Sequence, residues 1–471
     1  MKKVSKNNLR KQFAVAMSTM YQQEVPLYGS LKTLVESINS DELDNNVELV
    51  DQLTATRGLT RLAEERHGAI RLGTAKELSI IRRLFSVMGM SPVGYYDLSV
   101  AGIPVHSTAF RPLSHDDLSV NAFRVFTSLL RLDLIKDKLL CKKVEDVLSL
   151  RNICSSRLLI LISQFESAGD FNQSDANEFI EEALNVFRWH QEAAVDAVLY
   201  QELLQQHPLI ADVVSFKGPH INHLTPATLN IDRAQHEMPQ HGISAKAVIE
   251  GPPKRRCPIL LRQTSFKALS EKVIFPAATD DKSEIGEEHA SALRSHTARF
   301  GEVEQRGLAL TPKGQALYDR LLCQTRARII PDGNGNNAEQ YNAILNEEFT
   351  DFPDDYPAIR QQGLAYFYFS VKSKVVNKIM DKKHDIDSLI ESGHVRFDPI
   401  LYEDFLPVSA AGIFQSNLGV ESASAIAGLS RQDEFERALG VSVENIFEHY
   451  DAIQKKSIED CVDFFVSGDS V

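Results

Sequence analysis

Two stretches of this 471-residue chain share one order of predicted secondary structure, and this repetition constrains the fold more than any other feature. The first stretch opens with the alternating run 68–73, which predicts a strand, and continues with a helix over 75–87. Thr74 is the expected N-cap of that helix. Two further strands, predicted over 93–100 and 103–110, complete the order strand, helix, strand, strand.

The second stretch repeats this order after a long intervening segment. It contains a predicted strand, a helix and three more strands, over residues 219–224, 229–241, 243–250, 259–267 and 297–310. Aligning His67 with His223 superposes the two copies. Paired units of the βαβββ type can form one curved sheet with an open, cup-like face. The pattern therefore predicts an α+β fold with a duplicated, mostly antiparallel sheet.

The rest of the chain is predicted to be largely helical. Residues 115–206 read as helix throughout, including an amphipathic run over 122–140, and we expect an insertion that packs against the sheet. The pattern divides the chain into N-terminal helices, a first βαββ unit, a helical insertion, a second βαβββ unit and a mixed C-terminal region, over residues 1–53, 54–114, 115–206, 207–312 and 313–471.

The composition narrows the class of protein. Acidic residues outnumber basic ones by 64 to 51, and the net charge of −13 argues against general nucleic-acid binding. No apolar run approaches the ~18 residues of a membrane helix, and we expect no secretory signal. The five cysteines form no Cys-x-x-Cys pair, which favours reduced thiols. We therefore expect a cytoplasmic enzyme for a small molecule, either a monomer or a homo-oligomer.

His67 is the first candidate for a chemical role. Positions i and i+4 of a strand share a face, so His67 and Arg71 are expected to point the same way. A cation beside a metal-binding imidazole would suit a substrate that carries a carboxylate. The alternative is an ordinary polar strand edge.

The second copy offers two histidines, His220 and His223. Three residues apart on a strand, they would lie on opposite faces, so only one can enter the cup. The superposition with His67 favours His223. The nearby His236 and His241 lie on a predicted helix and are expected to be exposed.

The third candidate is the segment from 299 to 307, in which Glu302 and Glu304 share one face of a predicted strand. Two carboxylates aimed at one region repel each other unless a cation compensates them. Arg299 and Arg306 could do so in a purely structural arrangement. A bound metal ion is the alternative.

Two imidazoles and one carboxylate on three strands would form a 2-His-1-carboxylate facial arrangement. This arrangement leaves three adjacent positions of an octahedral metal open, and Fe(II) is its usual ion. A 2-oxo acid could take two of these positions and O2 the third. The spacing 67, 223, 302 is not a local motif, so periodicity alone leaves the ligand set open.

The segment 300–306, Phe-Gly-Glu-Val-Glu-Gln-Arg, resembles the last metal-binding strand of 4-hydroxyphenylpyruvate dioxygenases. In that family a Glu followed three residues later by Gln-Arg supplies the carboxylate ligand, which selects Glu302 over Glu304. Together with the duplicated units, the segment resembles the vicinal oxygen chelate superfamily.

Nearly the whole chain resembles the 2-oxoadipate dioxygenase/decarboxylase family of bacterial lysine catabolism. Four segments carry this resemblance, at residues 56–60, 66–73, 220–226 and 299–307. The resemblance implies His67, His223 and Glu302 as iron ligands. It also implies Arg71 as the clamp for a substrate carboxylate, and a substrate-contacting loop at Val408 and Ser409.

The resemblance implies an Fe(II)-dependent enzyme without an organic cofactor, which converts 2-oxoadipate and O2 to 2-hydroxyglutarate and CO2. A paralogue that keeps the metal site could use another 2-oxo acid. The same scaffold would also suit an O2-independent lyase or isomerase that uses Zn, Ni or Mn, or a non-catalytic protein that binds a metal or ligand. Oxygen consumption with 2-oxoadipate separates the first function from the rest.

Overall fold

The computed structural model describes residues 3–56, 58–266, 270–276, 292–297, 299–332, 335–372, 385–406 and 431–467. Strands β1 to β6 are Glu65–Leu72, Ser91–Asp97, Val105–Arg111, Arg124–Leu130, His223–Pro226 and Leu261–Ser265. Strands β7 to β11 are Ser270–Phe275, Ala292–Thr297, Phe300–Arg306, Phe367–Val371 and Val395–Pro399. Seven of these strands form one curled sheet in the order β2-β3-β4-β1-β5-β9-β6. Two hairpins, β7-β8 and β10-β11, lie apart from it.

Helices surround this sheet, which confirms the predicted α+β class. Helices α1 to α6 are Lys6–Glu24, Pro26–Asn45, Val47–Ala55, Ala75–Val87, His115–Val120 and Lys138–Leu150. Helices α7 to α12 are Ser156–Ala168, Gln173–Phe187, Ala197–Gln206, Pro208–Ser215, Ile231–Glu237 and Pro312–Arg328. Helices α13 to α17 are Ala338–Glu348, Tyr356–Gln361, Ile386–Glu391, Gln432–Leu439 and Ile446–Ser467. Among the described helices, none combines the length and the apolar character that a membrane crossing requires.

The sheet contains the same arrangement twice. In the first half, β1 pairs in parallel with β4, and β4 pairs antiparallel with β3. In the second half, β5 pairs in parallel with β9, and β9 pairs antiparallel with β6. The halves join where β1 meets β5 in antiparallel register. This topology confirms the predicted duplication and the mostly antiparallel sheet.

The prediction that residues 115–206 are wholly helical is wrong, because they contain β4. All seven side chains from Arg124 to Leu130 are buried, and the strand lies between β1 and β3. A strand that is buried on both faces has no polar alternation, so its pattern cannot be distinguished from that of a buried helix. With β4, the first half of the sheet has four strands, and the short helix α5 lies between β3 and β4 in the chain. The rest of this predicted helical stretch contains helices α5 to α9.

The predicted strand over 243–250 is only partly formed. Its ends make two isolated pairings with the β6 side of the sheet, Ala245 with Phe266 and Glu250 with Gln263. From residue 277 to 296 the sequence predicts a polar loop, but β8 begins at Ala292; residues 277–291 lie outside the described residues. The predicted strand over 297–310 is shorter, since β9 spans Phe300–Arg306.

Helix α4 forms where its capping residues predict it. The hydroxyl of Thr74 accepts a hydrogen bond from the backbone N–H of Glu77 at 3.2 Å. This bond satisfies one of the N–H groups that the first turn leaves without a helical partner. Gly89, just past the C-terminus, takes a positive φ of 68°. The predicted bounds of α4, 75–87, are therefore confirmed.

Side-chain alternation gives the two faces of the sheet different partners. Ile70, Val125 and Val303 point to one face, where they pack in a core with residues of α1, α2 and α4. Buried polar side chains occupy the opposite face, here called the polar face: His67, Arg124, Thr225, Gln263 and Glu302. Burying so many polar groups together is unfavourable unless they bind one another or a ligand. The polar face is therefore where the chemistry is expected.

Candidate metal centre and substrate site

Three ligand-type side chains converge on the polar face. His67 lies on β1, His223 on β5 and Glu302 on β9, and these three strands are neighbours in the sheet. Their ligand atoms all lie within 4.8 Å of one another, and all three residues are buried. The structure thus brings together the three residues that the sequence predicts as metal ligands.

The coordinating atoms of these three side chains face one common point. The Oε2 atom of Glu302 lies 3.4 Å from Nε2 of His67 and 3.5 Å from Nε2 of His223. Burial would raise the pKa of the Glu302 carboxyl, but His223 and His67 outweigh burial and lower it. Burial lowers the pKa of His223 to about 4, so this imidazole is neutral at pH 7. A carboxylate and a neutral imidazole are the forms that bind a metal ion.

Glu304 contacts His67 at Nδ1, the ring nitrogen that does not face the other two triad residues. The Nδ1 atom of His67 donates a hydrogen bond to Oε2 of Glu304 at 2.8 Å, because the carboxylate can only accept. With its proton on Nδ1, the ring presents the Nε2 lone pair to Glu302 and His223. Arg306 compensates the Glu304 charge through two hydrogen bonds of 2.5 and 2.8 Å. This is the carboxylate–histidine arrangement that orients imidazole ligands in metal sites.

The residues present fit a divalent metal ion. The Oε1 atom of Glu302 and the Nδ1 atom of His223 are buried and have no hydrogen-bond partner among the described residues. An orphaned buried carboxylate oxygen is unfavourable, and a cation at this point would compensate it. Two imidazoles and one carboxylate form the set that Fe(II) oxygenases use. The same donors also accept other divalent ions, so they define the site rather than its metal.

Next to this triad, β6 contributes a polar wall. In the register of β6 and β9, Ser265 lies opposite Glu302 and Gln263 lies opposite Glu304. The Oγ atom of Ser265 and the Oε1 atom of Gln263 are buried without a hydrogen-bond partner among the described residues. Unsatisfied polar atoms beside a ligand-type triad indicate a place for water or for a polar substrate.

Arg71 lies on the polar face and binds an acidic side chain there. Its Nη1 atom donates to Oδ2 of Asp212, on α10, at 2.5 Å, and both side chains are buried. Its positive charge is close enough to His223 to help lower the pKa of that imidazole, after burial. Arg71 thus lies on the same face of β1 as His67, and its charge is paired with Asp212.

The C-terminal region packs onto the same face. The Phe405 ring lies edge-on to the His67 imidazole at 4.8 Å and contacts Phe126 of β4 at 4.9 Å. Buried ion pairs hold this segment to the sheet, since Glu403 binds Arg61 and Arg124. The predicted substrate loop at Val408 and Ser409 lies outside the described residues.

The other histidines of the second stretch lie elsewhere. His220 precedes β5, and its Nε2 atom lies 3.3 Å from Oδ1 of Asp212 rather than in the triad. The strand predicted to begin at 219 begins at 223, since its pairing with β1 starts where Asn222 donates its N–H to the carbonyl of Ala69. His236 and His241 are exposed, as predicted.

A sequence model described as 2-oxoadipate dioxygenase/decarboxylase matches residues 13–417 of this chain. The chain belongs to the 2-oxoadipate dioxygenase/decarboxylase family. It is 52% identical over 460 residues to the family member of Pseudomonas putida, with 97% of each chain covered. It is 49% identical over 460 residues to the family member of Escherichia coli K12, with 97% of this chain and 98% of the relative covered. This membership confirms the expected family and the expected class of enzyme.

Two solved structures are similar in fold to this chain over nearly its whole length. The fold is similar to the crystal structure of a hydroxyglutarate synthase from Pseudomonas putida in complex with 2-oxoadipate, with a TM-score of 0.89 and 50% identity. The similarity covers 99% of both chains. A second crystal structure of the hydroxyglutarate synthase from this organism gives a TM-score of 0.87 at 48% identity, again over 99% of both chains. The family is therefore also supported by its three-dimensional structure.

Sequence reasoning misses several residues of the site. Asp212 carries no pattern that would single it out, because it reaches the polar face from a distant part of the chain. Phe405 lies three residues before the predicted substrate loop, but its contact with His67 depends on packing between distant segments. Strand alternation marks Glu304 as a charged neighbour of Glu302, but its hydrogen bond to His67 depends on the pairing of strands 237 positions apart. Arg306 compensates Glu304 as the structural interpretation suggested, whereas Arg299 pairs with Glu24 and Glu271.

Proposed function

We propose that this family member is an Fe(II)-dependent enzyme that converts 2-oxoadipate and O2 to 2-hydroxyglutarate and CO2. The observation that carries the proposal is the convergence of His67, His223 and Glu302 on one buried face, with Arg71 beside them. The relatives named above support the substrate, because one structure similar to this chain contains 2-oxoadipate.

His67, His223 and Glu302 would hold the metal ion, with Glu304 fixing the tautomer of His67. Fe(II) bound at this site would supply the activation of O2 and the redox chemistry that an oxidative decarboxylation requires. The atoms balance: the six-carbon 2-oxo diacid loses one carbon as CO2, and the five-carbon product gains a hydroxyl and a new carboxylate. No organic cofactor is needed.

The protein side chains would bind and orient the acid. Arg71 would bind the carboxylate farthest from the 2-oxo group by charge-assisted hydrogen bonds, which favours a diacid over a monoacid. Ser265 and Gln263 provide polar atoms without a partner in the described structure for the remaining oxygens of the substrate. Phe405 and Phe126 would exclude water from the opposite side.

Two further assignments rest on this function. Val408 and Ser409 would contact the substrate, and the position of Phe405 against His67 supports this, since it brings the preceding segment to the triad. The reaction would serve lysine catabolism in the cytoplasm. All five cysteines are free thiols, in agreement with a reducing compartment.

The decisive experiment measures oxygen uptake by anaerobically Fe(II)-loaded protein on addition of 2-oxoadipate, with 2-oxoglutarate for comparison. We expect uptake with 2-oxoadipate, matched mole for mole by CO2 and 2-hydroxyglutarate. No uptake by protein with bound iron would contradict the assignment. Other 2-oxo acids, and then O2-independent lyase reactions with Zn, Ni or Mn, would be tested next.

A further inference from the structure

Behind Arg71 lies a buried group of polar side chains that the proposed chemistry does not use. Asp212 of α10 binds Arg71 through Oδ2 and accepts a hydrogen bond from Nε2 of His296, on β8, through Oδ1 at 2.9 Å. The Tyr200 hydroxyl, on α9, lies 3.0 Å from Nδ1 of His296. A single chain of hydrogen bonds therefore runs from Tyr200 through His296 and Asp212 to Arg71.

This chain is enclosed by aromatic side chains. Tyr200, His296 and Asp212 are all buried, and the ring of Trp189 stacks on His296 at 6.2 Å. Burial would raise the pKa of Asp212, but Arg71 and His220 outweigh it and hold the pKa well below its ordinary value. Asp212 is therefore a fixed negative charge, which contacts Arg71 through Oδ2 and the imidazoles of His296 and His220 through Oδ1.

The position of Arg71 along β1 determines which substrate it can reach. His67 and Arg71 are four residues apart on one face, and Ala69 is the only residue between them on that face. In the pairing of β1 with β5, Ala69 lies opposite His223. On β1, the interval between the triad and the guanidinium is bordered only by the small Ala69 side chain, and this interval defines the space that a ligand would cross. A diacid that binds at the triad by one end must span this space to reach Arg71 with its other end.

We propose that Asp212 is a positioning residue that fixes the distance between Arg71 and the triad, and thereby selects the chain length of the dicarboxylic 2-oxo acid. This inference rests on the proposed function, because it assigns Arg71 to the far carboxylate. An arginine side chain has many rotamers, and an ion pair that restricts them preorganises the site for one ligand length. Without Asp212, Arg71 could follow the carboxylate of a shorter acid.

The ratio of two affinities isolates this positioning effect. Removing the Asp212 charge also makes Arg71 more attractive to any carboxylate, but this gain is shared by diacids of different length. It therefore cancels in the ratio of the dissociation constants of 2-oxoadipate and 2-oxoglutarate, which differ by one methylene group. A merely structural role of Asp212 would weaken both acids alike and leave the ratio unchanged.

The test uses Asp212→Asn in the full chain, loaded with Fe(II) without oxygen. Asn keeps the shape of the side chain and an acceptor for His296 but removes the charge that binds Arg71. Calorimetry gives the dissociation constants of both acids. We expect 2-oxoadipate to bind more tightly than 2-oxoglutarate in the unaltered protein. In the variant we expect the ratio of the two dissociation constants to move about tenfold towards equal affinity. This is the size of effect that follows from the loss of a charged hydrogen bond.

The matched control is Asp232→Asn. Asp232 also binds an arginine through two hydrogen bonds, to Arg262 at 2.7 and 2.9 Å, but its partner is not on the polar face. This variant should keep the preference of the unaltered protein. If Asp212→Asn does not fold, Tyr200→Phe replaces it, since it removes only the hydroxyl bound to His296. The preference is then expected to fall about two- to fivefold.

Two results would overturn the inference: equal affinity for the two acids in the unaltered protein, or an unchanged ratio in the folded variant. Oxygen uptake is measured on the same samples. No uptake in the unaltered protein contradicts the proposed function, while the binding ratio still decides the role of Asp212. Normal uptake with an unchanged ratio contradicts the role of Asp212 alone.

Discussion

Glu304→Gln tests whether the hydrogen bond from His67 to Glu304 strengthens metal binding at the triad. Both carboxylate oxygens of Glu304 accept hydrogen bonds from Arg306, and one of them also accepts from Nδ1 of His67. Gln offers one acceptor and one NH2 group in the same space. If its oxygen accepts from His67, its NH2 faces the Arg306 donors. If it turns round, the NH2 faces Nδ1 and favours the tautomer with its proton on Nε2, where the metal should bind.

Either orientation weakens metal binding by a magnitude that can be estimated. The His67–Glu304 hydrogen bond is 2.8 Å long, buried and charge-assisted, and such bonds contribute about 1.5–3 kcal/mol. Loss of an outer partner of a ligating histidine typically lowers metal affinity about 10–100-fold. This range equals about 1.4–2.8 kcal/mol, in agreement with the first estimate. We therefore expect the Fe(II) dissociation constant to rise by one to two orders of magnitude.

The assay is an anaerobic competition for Fe(II) between the protein and a coloured chelator, with thermal unfolding as the check on folding. Glu77→Gln is the matched control, because Glu77 is equally buried and binds Arg151 through two hydrogen bonds of 2.7 Å, yet touches no ligand of the triad. It should lower stability without changing iron affinity. A folded Glu304→Gln variant that binds Fe(II) as tightly as the unaltered protein would refute the reasoning.

Three further outcomes are expected. Glu302→Ala removes the single carboxylate of the triad and should abolish stoichiometric iron, measured as metal content after dialysis; full retention of iron would contradict the ligand assignment. Arg71→Ala should keep its iron but lose most turnover of 2-oxoadipate, and full activity would remove Arg71 from the site. The same variant should lower the free energy of unfolding by about 3–5 kcal/mol, because the buried Asp212 carboxylate loses its arginine partner. Thr74→Ala should lower the free energy of unfolding in denaturant by about 1 kcal/mol, because α4 loses its N-cap. Thr74→Ser keeps the hydroxyl and should unfold with nearly the same free energy as the unaltered protein. Equal losses in both variants would contradict the capping role.

The sequence alone determined the features that depend on neighbours along the chain. The bounds of α4 follow from its capping residue and its apolar period, both of which act within a few positions. The shared face of His67 and Arg71, and that of Glu302 and Glu304, follow from strand alternation in the same way. The choice of Glu302 over Glu304, and of the iron ligands as a set, came from resemblance to known families rather than from spacing.

Only the tertiary structure decided which distant residues meet. Strand β4 has no polar alternation, because both of its faces are buried by neighbours that are distant in the chain. Glu304 is bonded to a histidine 237 positions away, and Asp212 to an arginine 141 positions away. Periodicity reports which face a side chain occupies but not what lies across from it. Strand pairing and the packing of α10 decide that. They bring Glu304 into contact with His67 and Asp212 into contact with Arg71.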